Sequence, residues 1–417
     1  MSRALQIDFV APPYAGHLFP LLDLGMRLEA RGYMNLRVLS TADAHRATQL
    51  SGLAHVPLLA GQEARVKAIA NTGAPVALNP FRMYRQFQMS MTLMGELAAQ
   101  LRQVWSERRP DVVIADFTVP IAGLVATQLG IRWWTSTPSP CALESKTGTP
   151  AYLGGWMPAT GPLTRLRDAV GRRVIRLFKL GVARLFARQL RQLGFPGVYR
   201  DDGYEAIYSR ERIFGLGMRE FEFEQDWPAA FEFIGPLPGC PPFPSAPPEF
   251  PEGKRAILVT LGTHLPWARQ RAAELMQRVA ARMPDCVFHF AQGSPGSTTV
   301  SRQGNFHVYG FIPYHEHLSR YAAAVVHGGT GILYQCIQAG VPMLVWPHDF
   351  DHYDHAARIV HRGLGMEFKP TVRDVCGDLR ALLTGDGVRA RLREFQAHLK
   401  RYDPCGTVMA ALQPLAA

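Results

Sequence analysis

The sequence has few cysteines, few charged residues and no long apolar run. Its six cysteines lie far apart with no C-x-x-C pair, which argues against a disulfide framework and a zinc ribbon. No apolar run reaches the ~18–20 uncharged residues of a membrane span. Charged residues make up 19% and apolar residues 47% of the chain, so it should be globular throughout. With 417 residues, it is about right for two α/β domains.

The first residues lack the features of a secretion signal. Met1 to Ala4 run directly into an alternating strand pattern. A signal peptide would need a longer apolar stretch and a cleavage site of small residues. We therefore expect a cytoplasmic protein, with membrane association limited to its surface.

Positive charge is in excess and unevenly placed. The net charge is +11, and nine basic residues between Arg165 and Arg191 accompany a single acid, Asp168. Apolar residues recur in this stretch at near-helical spacing: Leu166, Val170, Val174, Leu177, Leu185 and Leu193. The pattern predicts a basic amphipathic helix or pair of helices. The favoured interpretation is that the apolar stripe packs on the core and the basic face is solvated. Peripheral membrane contact through residues 165–193 is the alternative. No nucleic-acid partner is expected, because aromatic stacking platforms and further basic motifs are lacking.

A proline-rich segment divides the chain into two halves. Residues 235–251 contain eight prolines in seventeen positions. Proline on this scale forbids a helix and removes strand donors, so the segment is predicted to be a semi-rigid connector. We predict an N-terminal domain over residues 1–235, a linker over 236–253 and a C-terminal domain over 254–417, whose last helix could pack back on the first domain.

Each half alternates short β-rich runs with helical patterns. The predicted strands are residues 5–10, 36–39, 112–115 and 131–135 in the first half, and 256–261, 287–291, 306–309, 324–326 and 342–346 in the second. Short apolar strands separated by helices predict parallel sheets covered on both faces. Because such sheets bind ligands at the carboxyl ends of their strands, we expect a cleft between the two domains.

Two polar residues follow predicted strands of the first half. His17 comes after the first strand, on a loop, and Asp116 ends the strand that begins near residue 112. A histidine can act as a general base near neutral pH, and an aspartate bonded to one ring nitrogen would orient it and stabilise its charged form. A structural loop histidine and a helix-capping aspartate are the alternatives.

A glycine-rich turn follows the strand at residues 324–326. His327-Gly328-Gly329-Thr330-Gly331 leads into a predicted helix, and the backbone N–H groups at a helix N-terminus attract anions. The turn is neither a Walker loop nor a G-x-G-x-x-G dinucleotide turn. It predicts a phosphate site, with a simple tight turn as the alternative.

Residues 348–355 contain three histidines and three aspartates. Spacings of four would suit a metal site on a helix, but the segment begins on a loop and no second shell is evident. Polar groups that contact the hydroxyls of a sugar fit these residue types better, so we predict neither a metal nor a bound cofactor.

Taken together, these segments resemble the nucleotide-sugar-dependent glycosyltransferases of the GT-B fold, which have two facing Rossmann-like domains. The resemblance is to glycosyltransferase family 1, the UDP- and dTDP-sugar transferases of natural products and lipids. It covers nearly the whole chain and rests on Gly16-His17-x-x-Pro20, Asp116, Leu261-Gly262-Thr263, Gly310-Phe311-Ile312-Pro313 and residues 327–356.

The resemblance implies inverting, metal-independent transfer of a sugar to a hydroxyl of a small, hydrophobic acceptor. His17 would be the general base and Asp116 its partner. Phe311 would stack on the pyrimidine, and Asp351 and His352 would contact the donor sugar. The implied donor-binding residues are Gly16, Thr263, Phe311, Ile312, His327, Gly328, Gly329, Thr330, Gly331, Ile332, Gln335, Asp351 and His352.

The chain departs from the family pattern at five positions, one of which is Tyr314 in place of a common Gln. His352 replaces a common Gln, Phe311 a common Trp, and His355 a common Asn. Gln335 occupies the position of a ribose-binding Glu. The donor therefore stays open between UDP and dTDP, and between a glucose-type and a rhamnose-type sugar.

Acceptor-binding residues are sought in a Met-rich helical stretch near residues 83–94 and in the pair Trp133-Trp134. Core packing is the ordinary interpretation, and a pliable apolar pocket is the alternative. If there is such a pocket, its contacts with the acceptor would come from Met83, Phe87, Met91 and Trp134.

The alternative function is a catalytically silent sugar-nucleotide-binding or activator protein of the same fold. The presence of both His17 and Asp116 argues against it.

Overall fold

The structure is a computed structural model that describes residues 4–70 and 80–416. Within them, seven strands of the first half form one sheet in the order β3-β2-β1-β4-β5-β6-β7, with every neighbouring pair parallel. These strands are β1 (Gln6–Val10), β2 (Asn35–Ser40), β3 (Ala54–Pro57), β4 (Val112–Asp116), β5 (Arg132–Thr137), β6 (Ile213–Gly215) and β7 (Phe231–Phe233).

The second sheet also has seven strands, in the order β10-β11-β9-β8-β12-β13-β14. They are β8 (Arg255–Thr260), β9 (Cys286–Ala291), β10 (Val300–Gln303), β11 (Phe306–Tyr309), β12 (Ala323–Val326), β13 (Met343–Val345) and β14 (Gly365–Glu367). The edge strand β10 runs antiparallel to β11, and the other pairs are parallel. The predicted α/β class with parallel sheets is confirmed, with this one antiparallel edge added.

Helices cover both faces of each sheet. They are α1 (Ala15–Glu29), α2 (His45–Leu50), α3 (Glu63–Ala70), α4 (Pro80–Glu107), α5 (Pro120–Gln128), α6 (Pro162–Leu185), α7 (Ala187–Leu193), α8 (Pro266–Ala281), α9 (Tyr314–His317), α10 (Thr330–Ala339), α11 (His352–His361), α12 (Val372–Thr384), α13 (Asp386–Leu399) and α14 (Pro404–Ala416).

The alternation of side chains along the first strands explains why helices lie on both faces. Ile7 and Phe9 of β1 point to one side and pack with residues of α1 and α14. Val10 and Val113 point to the other side and pack with α4 and α5. Strands that are buried on both faces read as continuous apolar runs, as these do. The last helix, α14, thus returns to the first sheet and lies against α1.

The basic segment forms two helices, α6 and α7, but not in the orientation that we favoured. Five of the six predicted stripe residues face outward, all of them in α6: Leu166 is 61%, Leu177 68% and Leu185 62% exposed. The two buried residues of α6 are instead Asp168 and Gly171. The interpretation of the stripe as core packing is therefore wrong for α6, whereas Leu193 of α7 does pack against a core cluster of the first half. In the described part of the chain, none of the helices is long and apolar enough to cross a membrane.

Candidate active site

A cavity of about 550 Å³ opens where the carboxyl ends of the two sheets face each other. Its N-terminal wall follows β1, β3, β4 and β5 and includes α3 and α4. Residues of this wall include Tyr14, Gly16, His17, Val66, Ile69, Leu93, Met94, Leu97, Phe117 and Ser139. Its C-terminal wall follows β8, β11, β12 and β13; it includes Thr263, His264, Phe311, Ile312, His327, Gly329, Thr330, Gly331, Ile332, Gln335, Asp351 and His352. Linker residues 237–240 also line the cavity.

His17 and Asp116 meet because β1 and β4 are parallel neighbours, with Val10 paired to Ala115. The chain beyond β1 and the last residue of β4 consequently lie at the same sheet edge. His17 lies in the first turn of α1, where we expected a loop. Its Nδ1 is 3.0 Å from Oδ2 and 3.1 Å from Oδ1 of Asp116.

Asp116 is held as a carboxylate acceptor. It is buried, and its Oδ1 accepts hydrogen bonds from the backbone N–H (2.9 Å) and the hydroxyl of Thr118. Nδ1 of His17 therefore donates to Asp116, which leaves Nε2 to take up a proton. Burial acts to lower the pKa of His17, but the charge and hydrogen bond of Asp116 outweigh it and raise that pKa above 6.5, with a further contribution from Asp351.

The glycine-rich turn lies at the N-terminus of α10, opposite His17 across the cavity. Since β8 and β12 are parallel neighbours, with Thr260 paired to Val326, the turn after β8 comes to lie beside His327. A Cβ added at Gly262 would fall 2.6 Å from Cε1 of His327, so only glycine fits there. Burial lowers the pKa of His327 well below 6.5, and the nearby His352 and His348 lower it further. His327 is thus a neutral N–H donor beside the positive end of a helix dipole.

The residues at the start of α11 hold this turn in place. Nδ1 of His355 is 2.7 Å from the carbonyl of Gly328, and Gly328 has a φ of +103°. Its backbone packs against His352, where an added Cβ would lie 3.0 Å from the His352 carbonyl oxygen. Gly328 does not itself line the cavity; it shapes the turn whose other members do.

Asp351 and His352 lie side by side at the cavity surface, Asp351 half-buried and His352 buried. Burial would raise the pKa of Asp351, but His355, His352 and the Ser139 hydroxyl together keep that pKa below its usual value. Burial lowers the pKa of His352 to about 4 although Asp351 opposes it. At neutral pH the pair therefore offers a carboxylate acceptor next to a neutral imidazole, which can donate and accept hydrogen bonds.

The remaining predicted donor residues form one end of the C-terminal wall. Phe311 packs edge to face against the linker residue Phe243, with ring centres 5.9 Å apart. Gln335 donates from Nε2 to the carbonyl of Pro238 at 3.1 Å. Its Oε1 is buried without a hydrogen-bond partner among the described residues. A buried amide oxygen of this kind is suited to a hydroxyl donor from a ligand.

The structure corrects our choice of acceptor-binding residues. Trp134 is 1% exposed and lies in the core, with its ring against Phe214. Phe87 contacts Phe186. The residues of α4 that line the cavity are Gln86, Ser90, Leu93, Met94 and Leu97. Met91 lies on another face of the same helix, and Met83 has a side chain outside the described part of the structure.

Several lining residues were not foreseen. Val66 and Ile69 of α3, Tyr14, His264 and linker residues 237–240 all border the cavity. The linker could have been suspected, because a connector that joins facing domains must pass close to their cleft. Tyr14 hydrogen bonds the Val66 carbonyl and its ring lies 5.0 Å from that of His264, so the two walls touch there. Among the described residues, no three side chains are arranged to hold a metal ion.

Comparison with known proteins agrees with this geometry. Residues 273–392 match the family model described as erythromycin biosynthesis protein CIII-like, C-terminal domain. The chain is 26% identical to 4'-demethylrebeccamycin synthase of Lentzea aerocolonigenes over 405 residues, which cover 92% of this chain and 93% of that one. It is 24% identical to zeaxanthin glucosyltransferase of Pseudescherichia vulneris over 421 aligned positions, or 96% and 95% of the two chains. The solved glycotransferase of kitacinnamycin superimposes with a TM-score of 0.75 over 100% of both chains at 22% identity.

The molecule therefore has the GT-B fold, and the candidate site lies in the cleft between the two sheets. The chain is a glycosyltransferase, and the resemblance inferred from its motifs is confirmed.

Proposed function

We propose that the protein transfers a sugar from a UDP- or dTDP-sugar to a hydroxyl of a small hydrophobic acceptor, with inversion and without a metal or other cofactor. The observation that carries this proposal is the placement of two features on opposite walls of one cavity. The His17–Asp116 pair lies on the N-terminal wall, and the glycine-rich N-terminus of α10 with His327 lies on the C-terminal wall.

In this mechanism Nε2 of His17 takes the proton of the acceptor hydroxyl. The acceptor oxygen forms a bond to the anomeric carbon, while the bond from that carbon to the phosphate oxygen breaks and its electrons leave with the nucleoside diphosphate. Asp116 stabilises the imidazolium that forms. Attack comes from the N-terminal wall and departure occurs toward the C-terminal wall, so the configuration at the anomeric carbon inverts.

The C-terminal wall offers several means to stabilise the leaving diphosphate. The positive end of the α10 dipole, the backbone N–H groups of the turn and the neutral His327 all act where negative charge develops. Thr263 adds a hydroxyl on the same wall. These groups support a transfer in which the protein itself stabilises the negative charge of the leaving diphosphate.

The nucleoside would lie at the linker end of the cavity. Phe311 offers a ring for the pyrimidine, the backbone of Ile312 meets the base edge, and the unpartnered Oε1 of Gln335 accepts from a ribose hydroxyl. Asp351 and His352 would then contact the sugar. Neither uracil nor thymine is favoured by a described contact, so both donors belong to the proposal.

The acceptor would lie against the apolar side chains of the N-terminal wall. Val66, Ile69, Leu93, Met94 and Leu97 border the cavity near His17. Such a surface favours a hydrophobic molecule that has a hydroxyl at one end. A relative whose name states transfer to zeaxanthin supports this class of acceptor.

Thermal shift with UDP, dTDP, ADP and inorganic pyrophosphate tests the donor assignment. A ligand that binds only the folded state raises Tm, so we expect UDP or dTDP to raise it more than ADP or pyrophosphate does. Gln335→Leu should weaken the preferred nucleotide about tenfold, the usual cost of one lost hydrogen bond to a buried group. Gln335→Glu should retain binding. An equal response to all four ligands would contradict the proposed nucleoside site.

Turnover separates the enzyme from a silent binding protein of the same fold. The preferred UDP- or dTDP-sugar would be incubated with a panel of hydroxylated polycyclic aromatics and carotenoids, and glycoside formation followed by mass spectrometry. A product with inverted anomeric configuration supports the proposal. Nucleotide binding with no product, and a retained configuration, would each contradict the proposed reaction.

A further inference from the structure

Helix α6 presents its large apolar residues to the outside of the molecule. We call the outward residues Leu163, Leu166, Val170, Val174, Leu177 and Leu185 the α6 stripe. Leu163 is 83% and Val170 is 49% exposed, and the others lie in the same range. Successive spacings of three, four and eight residues place all six on one side of the helix. An ordinary surface helix would bury this side.

Polar contacts on the opposite face hold α6 in this orientation. Asp168 is buried, and its Oδ2 accepts a 2.7 Å hydrogen bond from the Thr149 hydroxyl. Nζ of Lys179 lies 2.7 Å from Glu205 and 2.9 Å from Glu144. Burial alone would lower the pKa of Lys179, but these two carboxylates raise it, so the pair contacts are ionic. Turning the stripe inward would break these contacts, and a buried charged group that loses its partner is strongly destabilising.

The exposed stripe is a candidate contact surface. Apolar surface is stabilised by removal from water, and large contiguous apolar patches on soluble proteins mark sites of protein or membrane contact. Exposed Met157, at 40%, precedes α6 in the chain. Leu153 and Trp156, just before it, pack against Gly171 of the helix, which ties this segment to the same surface.

The charges around the stripe indicate what the occupant is. Five arginines of the same segment are exposed: Arg165, Arg173, Arg184, Arg188 and Arg191. Residues 162–193 contain one acid, the buried Asp168. A second copy of this chain would bring like charges together across a two-fold contact. An anionic bilayer instead accepts both groups, because leucines enter the acyl boundary while guanidinium groups bind phosphates bidentately.

The surface adjoins the wall that lines the cavity. Phe186, between α6 and α7, is buried and stacks on Tyr84 at 5.7 Å, and it also contacts Phe87. Both partners belong to α4, which supplies Leu93, Met94 and Leu97 to the cavity. The exposed helices and the N-terminal wall are thus packed as one unit.

We propose that α6 and α7 form a docking surface for a membrane rich in anionic phospholipid, with the α6 stripe in the acyl boundary and the five arginines at the headgroups. Membrane docking itself does not depend on the proposed function. The role of docking in the reaction does rest on it, because a surface beside the N-terminal wall would place the cavity close to an acceptor dissolved in the lipid.

Vesicle flotation of the full chain tests this proposal. We expect binding to vesicles that contain about a third phosphatidylglycerol in phosphatidylcholine, and little binding to phosphatidylcholine alone. Near a membrane surface each basic residue is worth about fivefold in affinity. Arg173→Glu with Arg184→Glu should therefore lower anionic binding roughly 25-fold or more. Leu166→Ser with Leu177→Ser should lower it at least about tenfold, because two leucines no longer enter the bilayer.

The matched control is Arg271→Glu with Arg278→Glu on α8, which makes the same charge change at two exposed arginines of the second half. This control should bind vesicles within about twofold of the unaltered chain, since charges far from the contact are screened. Circular dichroism should show all variants folded, and nucleotide thermal shifts should be unchanged. Loss of vesicle binding with intact nucleotide binding thus separates docking from donor binding.

Three results would overturn the proposal. Equal flotation with neutral and anionic vesicles would exclude the electrostatic part. An equal loss in the α8 control would make the effect one of net charge. A dimer in light scattering that Leu166→Ser with Leu177→Ser converts to monomer would show that a second copy covers the stripe.

Discussion

The two walls of the cavity differ in their structural elements and in their residue types. The C-terminal wall consists of short turns after β8, β11, β12 and β13, with glycines, histidines and exposed backbone groups. The N-terminal wall has one polar pair, His17 with Asp116, set beside apolar side chains from the helices α3 and α4. Backbone and imidazole groups in fixed turns recognise one kind of polar ligand, whereas packed apolar side chains accept many shapes.

This difference between the walls indicates which residues should affect the reaction and which should affect the choice of acceptor. Turns at the ends of neighbouring parallel strands are fixed by the sheet, as Thr260 beside Val326 shows. The apolar positions of α4 depend on the phase of one helix, so a small change there alters the shape of the pocket but leaves the chemistry intact. Changes to the polar pair should therefore have the largest effects on turnover, and changes to α4 the smallest.

The largest effect is expected from removal of the proposed base, His17, on the N-terminal wall. His17→Ala should lower kcat about 10²–10⁴-fold, the range for loss of a general base. Nucleotide affinity should stay nearly unchanged, because His17 lies on the N-terminal wall and the proposed nucleotide site is on the C-terminal wall. Steady-state kinetics and nucleotide thermal shifts measure the two quantities separately. His361→Ala, which removes an exposed histidine at the end of α11, should leave both unchanged. If His17→Ala retained turnover, another base would have to be sought.

The next effect concerns the pH dependence that Asp116 imposes on His17. The base works unprotonated, so kcat/KM should fall as pH drops through the His17 pKa, which Asp116 raises above 6.5. Asp116→Asn removes the raising charge while burial still acts to lower that pKa. The acid limb should therefore move to lower pH, and the plateau should fall about 10²-fold because the imidazolium loses its stabilising partner. An acid limb that stays in place would show that a different group titrates.

Much of the fold could be predicted because buried parallel strands have a simple sequence pattern. The nine predicted strands are all present, with ends within two residues. Five strands were missed: β3, β6, β7, β10 and β14. Three of these are three residues long, too short for a periodic pattern.

The orientation of α6 was missed for another reason. Its stripe was visible, but the carboxylates of Glu144 and Glu205 that hold its polar face inward are supplied by distant parts of the chain.

The residues of the C-terminal wall could be predicted from the sequence better than those of the N-terminal wall. Twelve of the thirteen predicted donor-binding residues line the cavity, and Gly328 supports its turn. Their positions follow from strand ends. Of the residues predicted to contact the acceptor, Trp134 belongs to β5 and is buried. On α4, Met94 lines the cavity and Met91 does not. Helical periodicity defines faces but does not say which of them meets a cavity and which meets a neighbouring helix.

A smaller effect is expected from a change in the turn of the C-terminal wall. Gly328→Ala places a side chain on a residue with a φ of +103° and 3.0 Å from the His352 carbonyl oxygen. Such strain costs about 1–3 kcal/mol, so nucleotide diphosphate affinity should fall about tenfold in calorimetric titration. Gly377→Ala is the control, because a Cβ there meets nothing within 4 Å. Unchanged affinity in Gly328→Ala would mean that the turn does not hold the diphosphate.

The smallest effect should come from α4, and it compares two methionines of one helix. Met94 lines the cavity, whereas Met91, equally half-buried, does not. Met94→Ala removes apolar contact worth about 0.8 kcal/mol for each buried methylene, so the KM of the best hydrophobic acceptor should rise about fivefold to tenfold. Met91→Ala should change that KM less than about twofold. Donor KM should be unaffected in both, because the C-terminal wall is untouched. Equal acceptor KM values for the two variants would show that the acceptor does not lie against α4, and the apolar N-terminal wall would then need another occupant.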